Sequence, residues 1–265
     1  MTDRGTDPAL TGAGKVSVMG SRSLVTYLLL LAILALSTAI TVFLPLGGFL
    51  PVPEALPAPK FVLALANAGL VLVVYGALGY LGLRLAGRLG FPPLWNEELS
   101  SFQRWGLPAL IGVGTGVFFI VADLALENFH TLGRLPHPPF PTSLFASITA
   151  GIGEEIIFRL FYIPFWLWLI SRVLLRGRFE LAVFWIVSVA SALVFAVAHL
   201  PSALAILGLS NVAELPLALW LEMLLLNGAL SLLAATYFRK HGFLAAAGIH
   251  FWTDIVWHVV WGLVG

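Results

Sequence analysis

Seven stretches of the chain are almost uninterruptedly apolar. They run over about 23–46, 61–83, 105–126, 143–170, 180–200, 213–237 and 241–264. A helix needs about 20 such residues to cross a bilayer, so each stretch predicts one transmembrane helix. None shows the alternating pattern of about ten residues that marks a transmembrane β-strand. The predicted fold is therefore all-α, a polytopic helical bundle with seven spans, or eight if one span is broken. Residues 1–20 are polar and rich in Gly, Ser and Thr, which predicts a flexible tail ahead of a single helical domain over 21–265. The first apolar run is too long for the core of a cleaved signal peptide and predicts a retained span.

Composition sharpens this picture. The 265 residues are 60% hydrophobic and only 10% charged, against roughly 25% charged in soluble domains. A soluble particle could not cover its surface with so few charges. A net charge of +1 with no basic stripe excludes a nucleic-acid binder. The absence of cysteine removes disulfides, thiolate catalysis and cysteine-ligated metal. The positions of the charges say more than their number. Eleven Lys and Arg residues fall before span one or in the second, fourth and sixth connections, among them Arg22, Arg84, Arg88, Arg172, Arg239 and Lys240. Only Lys60 and Arg134 fall on the opposite side. The positive-inside rule then places the N-terminus in the cytoplasm and the C-terminus outside a cell membrane.

The remaining basic residue, Arg159, lies inside span four. A charge at the bilayer centre costs about 2.5–3.5 kcal/mol, so such residues tend to face a protein interior and mark function. Glu154 and Glu155 share span four with Arg159, His199 ends span five, and span seven carries His250, Asp254 and His258. Residues four apart share a helix face, which pairs Glu155 with Arg159 and leaves Glu154 free to face a cavity. His250 and Glu154 fall at similar depth from opposite ends of their spans. Two imidazoles and two carboxyls gathered in this way can activate water.

Three patterns occur in order on three separate spans: Glu154-Glu155-x-x-x-Arg159, Phe195-x-x-x-His199 and His250-x-x-x-Asp254. Together they resemble the CAAX prenyl protease and bacteriocin-processing (CPBP, or Abi) family of intramembrane proteases. The resemblance covers Gly151 to His258, within a core at about 143–262; the first three spans match only as generic membrane helices. It implies an endopeptidase acting on a membrane-associated protein or peptide within the lipid bilayer. It implies that Glu154, helped by His199, activates the attacking water, with His250 and Asp254 completing the site and Glu155, Arg159 and Phe195 supporting it. Family members are described both as zinc enzymes and as metal-free glutamate proteases. If Zn2+ is bound, His199, His250, Asp254 and Glu154 are its candidate ligands; otherwise no cofactor is needed. An ionised Asp254 cannot donate to an oxyanion as an Asn could, which tilts the balance toward metal or a protonated Asp254.

Other readings compete. Acid and His chains also build the proton relays of ion-coupled transporters, although no internal repeat of the kind common in transporters is evident. A family member that has lost catalysis could serve as a membrane scaffold. Among single residues, Glu222 reads as a hydrogen-bonded structural acid and His258 as interfacial. His130, His137 and His241 read as solvent-facing, and Trp252, Trp257 and Trp261 as an interfacial belt. Pro164 predicts a kink in span four. Substrate and oligomeric state leave no trace in the sequence.

Overall fold

In the computed structural model, residues 20–47, 49, 57–130 and 133–264 are described. The expected tail lies outside them but for Gly20, as do Arg4 and Lys15. Seven helices are long and apolar enough to cross a membrane: α1 (Ser21–Thr41), α2 (Lys60–Arg88), α3 (Phe102–Phe129), α4 (Thr142–Leu174), α5 (Glu180–Leu207), α6 (Leu217–His241) and α7 (Phe243–Val264). The described residues contain no strand, and the polytopic helical bundle expected from the hydropathy pattern is the fold. The largest boundary difference is at span five, and span six is shifted at both ends. α5 runs past Pro201 to Leu207, because a proline in the first turn of Leu200–Leu207 needs no N–H donor there. α6 starts at Leu217 because Val212–Glu214 forms a separate short turn.

The helices are unequally buried, and the inequality locates the core. The most apolar window of α7 is 56% buried and that of α2 only 11%. α7 packs across α3, α6 and the Ala150–Glu154 stretch of α4, while α2 and α1 lie against the outer flank of α4. Close approach depends on small residues, as is usual where lipid supplies no hydrophobic drive between helices. A Cβ on Gly112 of α3 would stand 2.6 Å from the Ile249 carbonyl oxygen of α7. The same approach lets the Thr253 hydroxyl donate to the Gly112 carbonyl at 3.2 Å. On the opposite flank of α7, a Cβ on Gly151 of α4 would meet the Phe251 backbone at 3.1 Å. These contacts hold α3 and α4 against the two sides of α7 at the level of His250.

α4 is not a regular α-helix. Ala150–Glu154, Ile156–Tyr162 and Trp168–Leu174 are wide π-helical stretches. Pro164 is the second residue of the short α-helical piece Ile163–Leu167 between the last two, where the change of winding accommodates a residue that cannot complete an α-helical ladder. α7 likewise widens over Ile255–Trp261, directly after Asp254. Such turns concentrate at functional sites, and here they bracket the acidic pair and follow the His–Asp pair.

Candidate active site

Glu155 is fully buried where α4 meets α7. Its Oε1 accepts from His250 Nδ1 at 2.8 Å and pairs with Arg159 Nη1 at 3.1 Å. The expected Glu155–Arg159 pair is therefore formed, and the same carboxylate oxygen also holds the imidazole. One buried carboxylate thus fixes the ring plane and places the Nδ1 proton, leaving Nε2 to face the opposite way. Around Nε2 stand Glu154 Oε2 at 3.7 Å and Asp254 Oδ2 at 3.6 Å. The Glu154 side chain is 34% exposed while Glu155 is at 0%. The adjacent acids divide as the helical geometry predicts, one locked inside and one toward a solvent-reachable space.

Arg159 has no access to solvent. Its guanidinium carbon lies 4.9 Å from the centroid of the Phe195 ring, a cation–π contact that offsets part of its desolvation. Phe195 also meets His199 edge-on at 4.8 Å and His250 at 5.9 Å between centroids. The His199 Nδ1–H donates to the Phe195 carbonyl at 2.8 Å. In the neutral ring that bond places the proton on Nδ1 and leaves Nε2 as an acceptor. The Phe-x-x-x-His spacing thus has a physical meaning. Phe195 is the platform that joins Arg159, His250 and His199, and its carbonyl orients the second imidazole.

All seven residues singled out from the three motifs fall in this one region. His199 reaches the others through Phe195 rather than by a direct polar contact. As possible zinc ligands the set fits poorly. An imidazole whose Nδ1–H is held by a protein acceptor, as in His250 and His199, can still offer Nε2 to a metal. Among the described residues, however, no three His, Asp or Glu side chains are arranged to hold a metal ion. Metalloprotease chemistry gains no support from this geometry.

A second polar group was largely missed in the sequence. Asp123 of α3 and Glu222 of α6 are both buried. Asp123 accepts the Leu135 N–H at 3.1 Å, and its carboxyl lies close to that of Glu222. Glu222 meets His130 Nε2 at 3.3 Å, so Glu222 is the hydrogen-bonded acid expected. His130, expected in solvent, has only 1% of its side chain exposed. The insertion-cost argument applied to Asp123 would have found this group, since that acid also sits in an apolar run. His137 and His258 correct two more expectations. Their Nδ1 atoms approach to 3.2 Å, and His137 packs edge-on against Trp257. His258 is thus held by another histidine rather than exposed at the interface, and Trp257 is core rather than belt. Burial pushes His137 down to about 4, so its ring is neutral near pH 7.

The comparison with known families falls on this same half of the chain. Residues 136–256 match the Rce1-like family, described as Type II CAAX prenyl endopeptidase Rce1-like. This segment is similar to that family. The match agrees with the CPBP resemblance carried by the three motifs. The Rce1-like segment contains every motif residue and most of α4 to α7, while α1 to α3 lie outside it. The family points to CAAX-type protease activity at a membrane. No curated protein and no solved structure matches the chain significantly.

Proposed function

We propose that this protein is an intramembrane endopeptidase that hydrolyses a peptide bond of a membrane-associated protein or peptide. The observation that carries the reading is the orientation of His250. Its Nδ1 is bound to the Arg159-paired Glu155, and its Nε2 is turned toward Glu154 and Asp254. Both carboxyl oxygens stand slightly beyond direct hydrogen bonding from Nε2, so a water seated beside the three groups can be reached by each of them. Glu154, the half-exposed member, takes a proton from that water as it attacks the scissile carbonyl. His199, with Nε2 unprotonated, assists by accepting from the same water or passing the proton on toward the leaving amine. His250, when it carries a proton on Nε2, donates to the developing oxyanion, and a protonated Asp254 does the same. Glu155 and Arg159 act through His250 and are positioning residues. No step here requires a metal.

Purified protein in detergent or vesicles, offered a library of membrane-anchored peptides, should cleave a defined subset. His199→Ala and His250→Ala should each abolish cleavage while the protein stays monodisperse and helical. Full activity in either variant would contradict these roles. Activity that survives exhaustive chelation would favour the metal-free route, and loss restored by zinc would favour the alternative.

A further inference from the structure

A cavity lies away from the acidic pair, at the end of the bundle that carries the basic connections. It has a volume of about 350 Å³, within the range of about 300–1,000 Å³ typical of small-molecule sites. Its floor is apolar, made by Phe91, Leu160, Phe238 and Phe243, and its rim carries Arg84 and Arg88. We propose that this cleft binds an anionic phospholipid, with the phosphate on Arg84 and Arg88 and one acyl chain laid along the phenylalanine floor.

Three features argue for that occupant. First, Arg84 and Arg88 are one turn apart at the end of α2, and no acidic side chain lines the cleft. Like charges at this spacing repel each other, and among the described residues Arg88 forms no ion pair while Arg84 contacts only the Tyr80 ring and hydroxyl. An anion between them removes that repulsion. Two other arginines at the same end are already engaged, Arg172 by Glu180 at 2.8 Å and Arg239 by the Phe184 ring. Second, the depth is that of a headgroup. The rim is formed by the last turns of α2, and the floor by Phe238 in the last turn of α6 and Phe243 at the start of α7. Basic pockets between membrane helices on this side favour anionic headgroups. Third, the polar rim leads directly to stacked aromatic surface, with Phe91 and Phe238 centroids 4.8 Å apart. A free phosphate would use only the rim, whereas a lipid uses both. Leu160 adjoins Arg159 in α4, so an occupant would touch the helix that holds the acidic pair.

Native mass spectrometry of the full-length protein, titrated with phosphatidylglycerol and with phosphatidylcholine of the same acyl chains, tests this. The expected result is a saturable phosphatidylglycerol adduct that the double variant R84A/R88A binds at least about tenfold more weakly, and that R84K/R88K largely retains. R172A/R178A, which alters the same end of the bundle but not the cleft, should bind as wild type does. Equal binding of both lipids, or an unchanged affinity in R84A/R88A, would overturn the proposal. So would displacement of the adduct by inorganic phosphate at comparable concentration, which would make the rim a simple anion site. An adduct that forms only after deletion of residues 2–19 would assign the cleft to the chain's own N-terminal segment and equally overturn it. Retention of size-exclusion profile and helicity by R84A/R88A separates lost binding from lost fold.

Discussion

Glu154 and Glu155 are chemically identical neighbours, and their surroundings give them different work. Glu155 has a cation and an imidazole on one oxygen, while Glu154 has solvent on one side and Nε2 on the other. The expected consequence is a split phenotype. Arg159→Ala leaves a buried carboxylate without its cation, at a cost of about 3–5 kcal/mol, and should appear as a marked fall in thermal unfolding temperature in detergent. Glu155→Leu with Arg159→Met removes both charges together and should recover much of that stability but not the cleavage rate, because His250 loses the acceptor that orients it. Stability and rate recovering together would show that Glu155 has no role through His250. At the same scale, His137 is neutral when folded and takes up a proton freely when unfolded. Its contribution is complete above about pH 6.5 and is lost as pH falls toward about 4. His137→Phe should therefore flatten the acid side of a stability-against-pH profile; an unchanged slope would contradict its burial against Trp257.

At the scale of the elements, the approach of α4 and α3 to α7 sets the distances at the site. Gly151 of α4 and Gly112 and Gly116 of α3 are points of close contact. Gly151→Val should push α4 from α7 beside the acidic pair and lower the rate more than it lowers helicity, measured by cleavage assay and circular dichroism on the same sample. Gly114 of α3 faces open space, and Gly114→Ala should leave both unchanged. The motif residues were legible in the sequence because charge is expensive in hydrocarbon, so every exception was visible. Their pairing was legible too, since Glu155 and Arg159 meet across one turn whether the helix is regular or wide. The π-helical stretches were not, because hydropathy records how apolar a segment is and not how it is wound. Neither was the meeting of His137 with His258, which joins a loop to a span more than a hundred residues away. A loop histidine is read as solvated by default, and only the bundle's packing buries it.

For the whole molecule, the distribution of basic residues and seven helices predicts cytoplasmic exposure of the 175–179 connection and outside exposure of the 208–216 connection. The chain has no cysteine, so single cysteines placed in either connection report their side directly. An impermeant thiol reagent applied to intact cells should label Asn211→Cys and spare Gly177→Cys, and the reverse pattern would invert the topology. The Rce1-like match, the three motifs and the buried Arg159–Glu155–His250 chain are the observations behind the proposal of peptide hydrolysis with Glu154 as the base. A positioned general base contributes about 10²–10⁴-fold. The direct measurement is the cleavage rate of the best substrate from a membrane-anchored peptide library, by wild type and Glu154→Gln reconstituted side by side. The predicted result is clear cleavage by wild type and a rate at least about a hundredfold lower in Glu154→Gln, with helicity and reconstitution unchanged. Equal rates in the two proteins would contradict the account.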